Sequence, residues 1–310
     1  LMPVISERPA DPEVVDALVI AMTDQKRFDE LAEVLQKARR ATRDRANDRR
    51  WLVSKAEIVW RHVGDYDAAE KMFRRVRAAN PRNMVALEFF EDQLTRNEDW
   101  KRLHAVLSQK YALVPAEQRV AVAVQMAELA ENQMESLDKA IEAYKRVLSE
   151  EPGNAEAIAK LADLYQKTGK WHALIDFLNS QIRKLGGGVE ATEQKVALLF
   201  RIIDIYQDPE KLPVEEMVIH TYNRIVQLSP TNGTALDNLA QRYEDAHRWS
   251  ELVGVLQKKI AATTDEDQLL DLFHQVADLY VSKMSSESQA VPFLERILEV
   301  DPTNLEVVRK

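Results

Sequence analysis

The stretch Trp249-Ser250-Glu251-Leu252-Val253-Gly254-Val255-Leu256, WSELVGVL, opens on an aromatic residue and places leucines three and seven positions later. That spacing sets Trp249, Leu252 and Leu256 on one face of a helix. Taken alone, such a tryptophan could anchor a ligand or fill a core. Three further stretches decide the matter: FDELAEVL from Phe28, WKRLHAVL from Trp100 and WHALIDFL from Trp171 share the pattern aromatic-x-x-Leu-x-x-x-Leu. The aromatics recur at intervals of 72, 71 and 78 residues, and a proline stands 19 residues before each, at Pro9, Pro81, Pro152 and Pro230. A ligand anchor has no reason to return four times in register, whereas a residue that packs one repeat on the next must do so. Phe28, Trp100, Trp171 and Trp249 therefore read as repeat-packing residues.

Three of these prolines lie in turns of one kind, NPRN, EPGN and SPTN, and Pro302 repeats it as DPTN. Proline cannot continue a helix, and the asparagine that follows can accept from the free N–H groups of the next one. Each long period holds two shorter units. GDYDAAEKMFRRVRAANPRN, from Gly64 to Asn83, carries a turn, the small Ala69 and the aromatic Phe73. AEAIAKLADLYQKTGKW, from Ala155 to Trp171, sets Leu161, Ala162 and Tyr165 on one helical face. The small residues Ala69, Ala140, Ala162, Ala240, Ala277 and Ala290 allow helices to cross closely.

These motifs resemble the tetratricopeptide repeat (TPR), a helix-turn-helix unit of about 34 residues. Gly64, Tyr66, Ala69, Phe73 and Pro81 match its turn and second helix, and Leu161, Ala162, Tyr165 and Gly169 match its first. The resemblance covers nearly the whole chain. It implies an all-α fold, a right-handed superhelical α-solenoid of about eight TPR-like repeats and about sixteen helices. One helical pair cannot bury its apolar stripe alone, and stacking supplies the missing cover. The repeats are expected near 11–40, 50–81, 84–113, 117–152, 155–185, 192–230, 233–262 and 267–302, in a single domain over 1–310. A flexible joint is expected at 186–192 (GGGVEAT) and a longer turn at 207–213 (QDPEKLP). DPTNLEVVRK starts a ninth repeat at 303–310 and stops, so the sequence is expected to be a piece of a longer array.

Composition fits a helical scaffold. Among 310 residues 45% are hydrophobic and 30% charged, with only 8 glycines, a balance that favours helix over strand. The absence of cysteine excludes disulfides, thiolate metal sites and cysteine nucleophiles. No apolar run approaches the ~18 residues a membrane span needs. The opening LMPVISERPADPE lacks a basic region followed by a long apolar core, which leads to a cytoplasmic expectation. The six histidines show no HExxH spacing, and Gly186–Gly188 is not followed by the Lys-Ser/Thr of a phosphate loop. Asp65 and Asp67 precede a helix, where carboxylates act as caps. Asn232-Gly233-Thr234 fits a glycosylation sequon but sits in a Pro-x-Asn turn. No catalytic, cofactor-binding or metal-binding residue is expected, and the chain does not read as an enzyme.

Charge carries what functional signal there is. Residues 1–110 hold 21 Lys/Arg and 19 Asp/Glu, whereas 111–310 hold 21 and 32. Arg39, Arg40, Arg43, Arg49, Arg50, Arg74 and Arg75 form a basic patch, with Lys37, Arg45, Lys71, Arg77 and Arg82 near them in sequence. It reads either as a solvated face or as a site for an acidic partner or anionic surface. The TPR resemblance implies a concave groove lined by the first helix of each repeat. The groove positions fall on Glu156, Asp163, Asp204, Asp237, Gln241, Glu244, Asp271, His274 and Asp278, an acidic set suited to a basic protein segment. Chaperone-binding TPRs clamp a terminal carboxylate with Lys, Arg and Asn, whereas the second repeat here offers Ser54 and Ile58. The leading expectation is a non-catalytic protein-interaction scaffold, open to end-to-end or multi-protein assembly. Nucleic-acid binding is disfavoured by the acidic balance, and a substrate-selecting arm of a larger enzyme is a third reading. The double repeat also resembles large bacterial TPR proteins of motility and polarity machineries, some of which engage small Ras-like GTPases.

Overall fold

The computed structural model describes residues 9–300; Pro302 and the expected start of a ninth repeat at 303–310 lie outside them. Sixteen α-helices and no strand occur among the described residues. The chain divides into two compact units, 1–164 and 165–310. The first holds α1 (Pro12–Asp24), α2 (Phe28–Ala41), α3 (Arg45–Ile58), α4 (Tyr66–Ala79), α5 (Met84–Arg96), α6 (Trp100–Tyr111), α7 (Ala116–Asn132) and α8 (Leu137–Glu150). After α9 (Ala155–Lys167), the second holds α10 (Trp171–Lys184), α11 (Val189–Gln207), α12 (Glu215–Leu228), α13 (Gly233–Asp245), α14 (Trp249–Ala262), α15 (Glu266–Asp278) and α16 (Glu287–Val300). From α1 to α8, and again from α10 to α16, each helix packs on the next in sequence. α11 already starts at Val189, within the segment read as a flexible joint, which leaves a non-helical link only at 185–188.

The Pro-x-Asn turns act as their chemistry demands. The side chains of Asn83, Asn154 and Asn232 accept from the backbone N–H of Ala86, Ala157 and Ala235 at 2.9, 2.9 and 3.0 Å. Asp65 does the same for Ala68 at 2.9 Å, so this carboxylate is a helix cap. Within seven of the eight repeats, the turn places a left-handed residue two positions before the second helix. These residues are Lys26, Gly64, Glu98, Glu135, Gly169, His247 and Ser285, with φ between 48° and 80°. Only two are glycine, so five side chains bear the steric cost of that conformation. The exception, 208–214, is the longer turn.

Packing follows the repeat. Ala69, Phe73, Ala140 and Ala290 are fully buried, and Leu161, Ala162, Tyr165 and Ala277 nearly so. Ala240 is only half-buried. Between the second and third repeats Trp60, Phe73 and Phe89 form an aromatic cluster, with Phe73 and Phe89 stacked at 4.6 Å. The Trp60 indole N–H and the Tyr66 hydroxyl both donate to Asp92, at 2.7 and 2.6 Å, and tie the two repeats with one carboxylate.

Phe28, Trp100, Trp171 and Trp249 each form the first residue of a second helix, and each is half-buried rather than enclosed. Three of them touch the end of the next repeat's first helix or the turn beyond it. Phe28 stacks on His62 at 3.8 Å, Lys211 lies 5.5 Å over the Trp171 ring, and Lys283 lies 5.6 Å over Trp249. His62 and Lys283 belong to short π-helical turns, Val59–Val63 and Leu279–Lys283, that extend α3 and α15.

Replacing Glu98 or His247 by glycine is expected to stabilise the fold by about 0.5–1 kcal/mol each, because the left-handed penalty exceeds glycine's entropic cost. Thermal unfolding should show a higher midpoint for both. Trp171→Ala is expected to cost about 1–3 kcal/mol, below the ~3–5 of an enclosed tryptophan, since part of its surface is already in water. Denaturant titration of that variant against Phe73→Ala, at an enclosed site, checks the ordering.

Candidate functional site

In the second unit the first helices of the last two repeats, α13 and α15, flank α14 and leave a groove of about 550 Å³. Leu252 and Leu256, from the WSELVGVL stretch, line it from α14. α13 contributes Asp237, Gln241 and Glu244, and α15 contributes Gln275 and Asp278. The π-helical turn closes one end with Ser282 and Lys283. An α-helix returns to the same face every three or four residues, which is why 237, 241 and 244 act together.

The groove is less acidic than its carboxylates alone indicate. Lys259 of α14 holds Asp237 at 2.7 Å, and Gln241 donates to Asp245 at 3.0 Å. The lining as a whole sets three carboxylates, Asp237, Glu244 and Asp278, against two cations, Lys259 and Lys283, a small excess of negative charge.

Of the nine expected groove residues, the structure brings together Asp237, Gln241, Glu244 and Asp278. Asp271 and His274 lie on α15 but do not line this groove, where Gln275 stands instead. Asp204 is exposed on α11 outside it, and Glu156 and Asp163 are exposed on α9 in the first unit. The expected basic patch also divides. Arg39, Arg40 and Arg75 converge on a hollow of about 690 Å³ between α2, α3 and α4. Arg49 and Arg50 line a different hollow beside Val76 and Asn83, and Arg50 pairs with Asp16 at 3.0 Å. Arg74 pairs with Glu70 one turn away, and Arg43 is exposed.

Sequence reasoning missed Lys55, which sits among the cations of the first hollow. Burial, with Arg39 and Arg40 beside it, holds the Lys55 ammonium below the usual lysine range. Its spacing of seven from Asp48 was a usable signal, since both fall on the same face of α3. The π-helical turns, which line both hollows, have no comparable signature in the sequence.

Residues 132–173, spanning the end of α7, all of α8 and α9, and the start of α10, match the family described as tetratricopeptide repeat. That segment carries a tetratricopeptide repeat. Solved structures similar to it include MamA, at 18% identity over 61% of this chain and 96% of that one, with a TM-score of 0.28. PilF of Pseudomonas aeruginosa is similar at 15% identity over 76% of this chain and 96% of that one, TM-score 0.33. A Naa15/Naa10 complex bound to HypK-THB gives 12% identity over 97% of this chain and 59% of that one, TM-score 0.42. These scores are too low to carry a conclusion about shape or partner. No curated protein matches the sequence.

The second repeat has no carboxylate clamp at the positions singled out. The Ser54 hydroxyl donates back to the Arg50 carbonyl at 3.3 Å, and Ile58 is buried. No cluster of three His, Cys, Asp or Glu placed to hold a metal ion occurs among the described residues. No helix among them is long and apolar enough to cross a membrane.

Asp92→Ala is expected to destabilise the first unit by about 1–3 kcal/mol, since it strands two donors at an inter-repeat contact. Asp92→Asn should recover part of that loss, and unfolding by urea compares the two.

Proposed function

We propose that this TPR chain is a non-catalytic scaffold that holds a partner protein or peptide, with the α13–α15 groove as the seat of a basic segment. The observation that carries this reading is the convergence of Asp237, Glu244 and Asp278 around Leu252 and Leu256. Carboxylates above an aliphatic floor suit a segment that alternates Lys or Arg with apolar side chains. From Asp237 to Glu244 is two helical turns, about 10 Å. That is the reach of about three residues of extended peptide. Helical repeats present such surfaces on rigid elements, which keeps the entropic cost of binding low. A substrate-selecting arm of a larger enzyme would use the same groove. A role beside a small GTPase in motility or polarity rests on the sequence resemblance alone.

Fluorescence anisotropy with a labelled peptide containing Lys, Arg and Leu tests the reading. Asp237→Lys combined with Glu244→Lys is expected to weaken binding by about tenfold or more, through lost attraction and new repulsion. Lys259→Gln, which releases Asp237 from its ion pair, is expected to strengthen it by about two- to fivefold. Equal affinity across wild type and both variants would sink the assignment.

A further inference from the structure

The hollow between α2, α3 and α4 differs in kind from the groove just described. Its walls come from second helices, α2 and α4, and its floor from a first helix, α3. It therefore opens on the helix layer opposite to the one the TPR resemblance points to. We propose that this hollow is a second docking site, and that it takes an acidic peptide segment of a partner protein bearing aliphatic side chains. The site is independent of the acidic groove.

Three observations carry the proposal. The first is charge. Six cations, Lys37, Arg39, Arg40, Lys55, Lys71 and Arg75, face three carboxylates, Asp29, Glu33 and Asp48. Arg39 is ion-paired, with Nε 2.9 Å from an Asp48 carboxylate oxygen. The other five make no ion pair with a carboxylate among the described residues.

The second observation is Lys55. Its ammonium donates to the neutral amide oxygen of Gln36 at 3.0 Å, in a part-buried setting. Burial and two neighbouring guanidinium groups disfavour its charge, and Glu33 opposes them less strongly. A half-buried cation with only a neutral acceptor gains most from an incoming carboxylate, which supplies the missing counter-charge.

The third observation selects the chemistry of the partner. Ala32, Val59, Val63, Ala68 and Met72 give the hollow an aliphatic lining, and Val63 is 42% exposed. The π-helical turn sets Val59 and Val63 at its two ends, both in the hollow. No aromatic residue lines it, so bases find no stacking platform, and three lining carboxylates oppose a continuous run of phosphates. An acidic peptide with Leu or Val side chains satisfies walls and floor together. From Asp29 to Arg40 the α2 wall runs about 16 Å. That is long enough for about five extended residues.

The test uses the whole chain and a labelled peptide containing Glu and Leu. Oligo-glutamate of equal length, oligo-dT and phosphatidylserine vesicles serve as competitors. The Glu/Leu peptide is expected to bind more tightly than oligo-glutamate. Arg40→Glu with Lys71→Glu should weaken it by about tenfold or more. Val63→Asp should remove the advantage of the leucines, while Asp237→Lys with Glu244→Lys should leave this peptide's affinity unchanged. Unchanged thermal unfolding of the exposed-site variants shows that they fold. The proposal is overturned if no Glu/Leu peptide binds, if these hollow variants bind it as wild type does, or if oligo-dT or vesicles bind the hollow in preference to the peptide. It is also overturned if the wild-type chain self-associates and the Arg40/Lys71 variant does not, since the occupant is then a second copy.

Discussion

A pair of short helices has two apolar stripes and enough partner surface for one of them. Everything else in this chain follows from that deficit, because each repeat completes its burial only against its neighbour. The contact is built from recurring parts. An aromatic residue opens the second helix and meets the end of the next repeat's first helix or the turn after it, as Phe28 meets His62, Trp171 meets Lys211 and Trp249 meets Lys283. The partner in each case is a ring or a long cationic side chain that covers the aromatic face and leaves part of it in water. Small residues such as Ala69, Ala140 and Ala290 are fully buried where the helices pack.

Stacked helical pairs present two kinds of hollow, and each unit displays one prominent example. Where two first helices flank a second helix, α13 and α15 enclose Leu252 and Leu256 under carboxylates. Where two second helices flank a first, α2 and α4 enclose Val59 and Val63 under cations. Both hollows incorporate a π-helical turn at the end of a first helix. Such a turn holds five residues in the space of one wider coil and presents side chains that a regular helix would carry elsewhere. The repeat thus supplies the hollow and the sequence decorates it, and decoration is what distinguishes one partner from another.

The helical turns were legible because the chemistry is local. Asn83, Asn154 and Asn232 could be assigned as caps from the Pro-x-Asn motif, and their hydrogen bonds have that form. The aromatic at the head of every other second helix, Phe28, Trp100, Trp171 and Trp249, was legible from its period. Its degree of burial was not, because exposure depends on the side chain above it, and Lys211 and Lys283 lie 40 and 34 residues further along the chain. The acidic set was legible as a register of positions on first helices. Which members share a groove was not: Asp271 and Gln275 lie one helical turn apart on the same face, and the place along α15 where it packs on α14 puts Gln275 into the lining and leaves Asp271 out. The basic patch shows the same limit. Arg39 and Arg49 are close in sequence, yet α3 separates the hollows they line.

By itself, the sequence determined the all-α repeat, the position of the turns and the charge each helix carries. Those properties arise from residues within a few positions of one another, where periodicity and capping rules apply. Tertiary structure alone decided which charges neutralise each other and which stay available. Lys259 removes Asp237 from the free carboxylates, and Gln36 leaves Lys55 without a counter-charge. Both outcomes depend on rotation and separation between packed helices. The local sequence pattern, which reaches only a few positions along the chain, does not encode them.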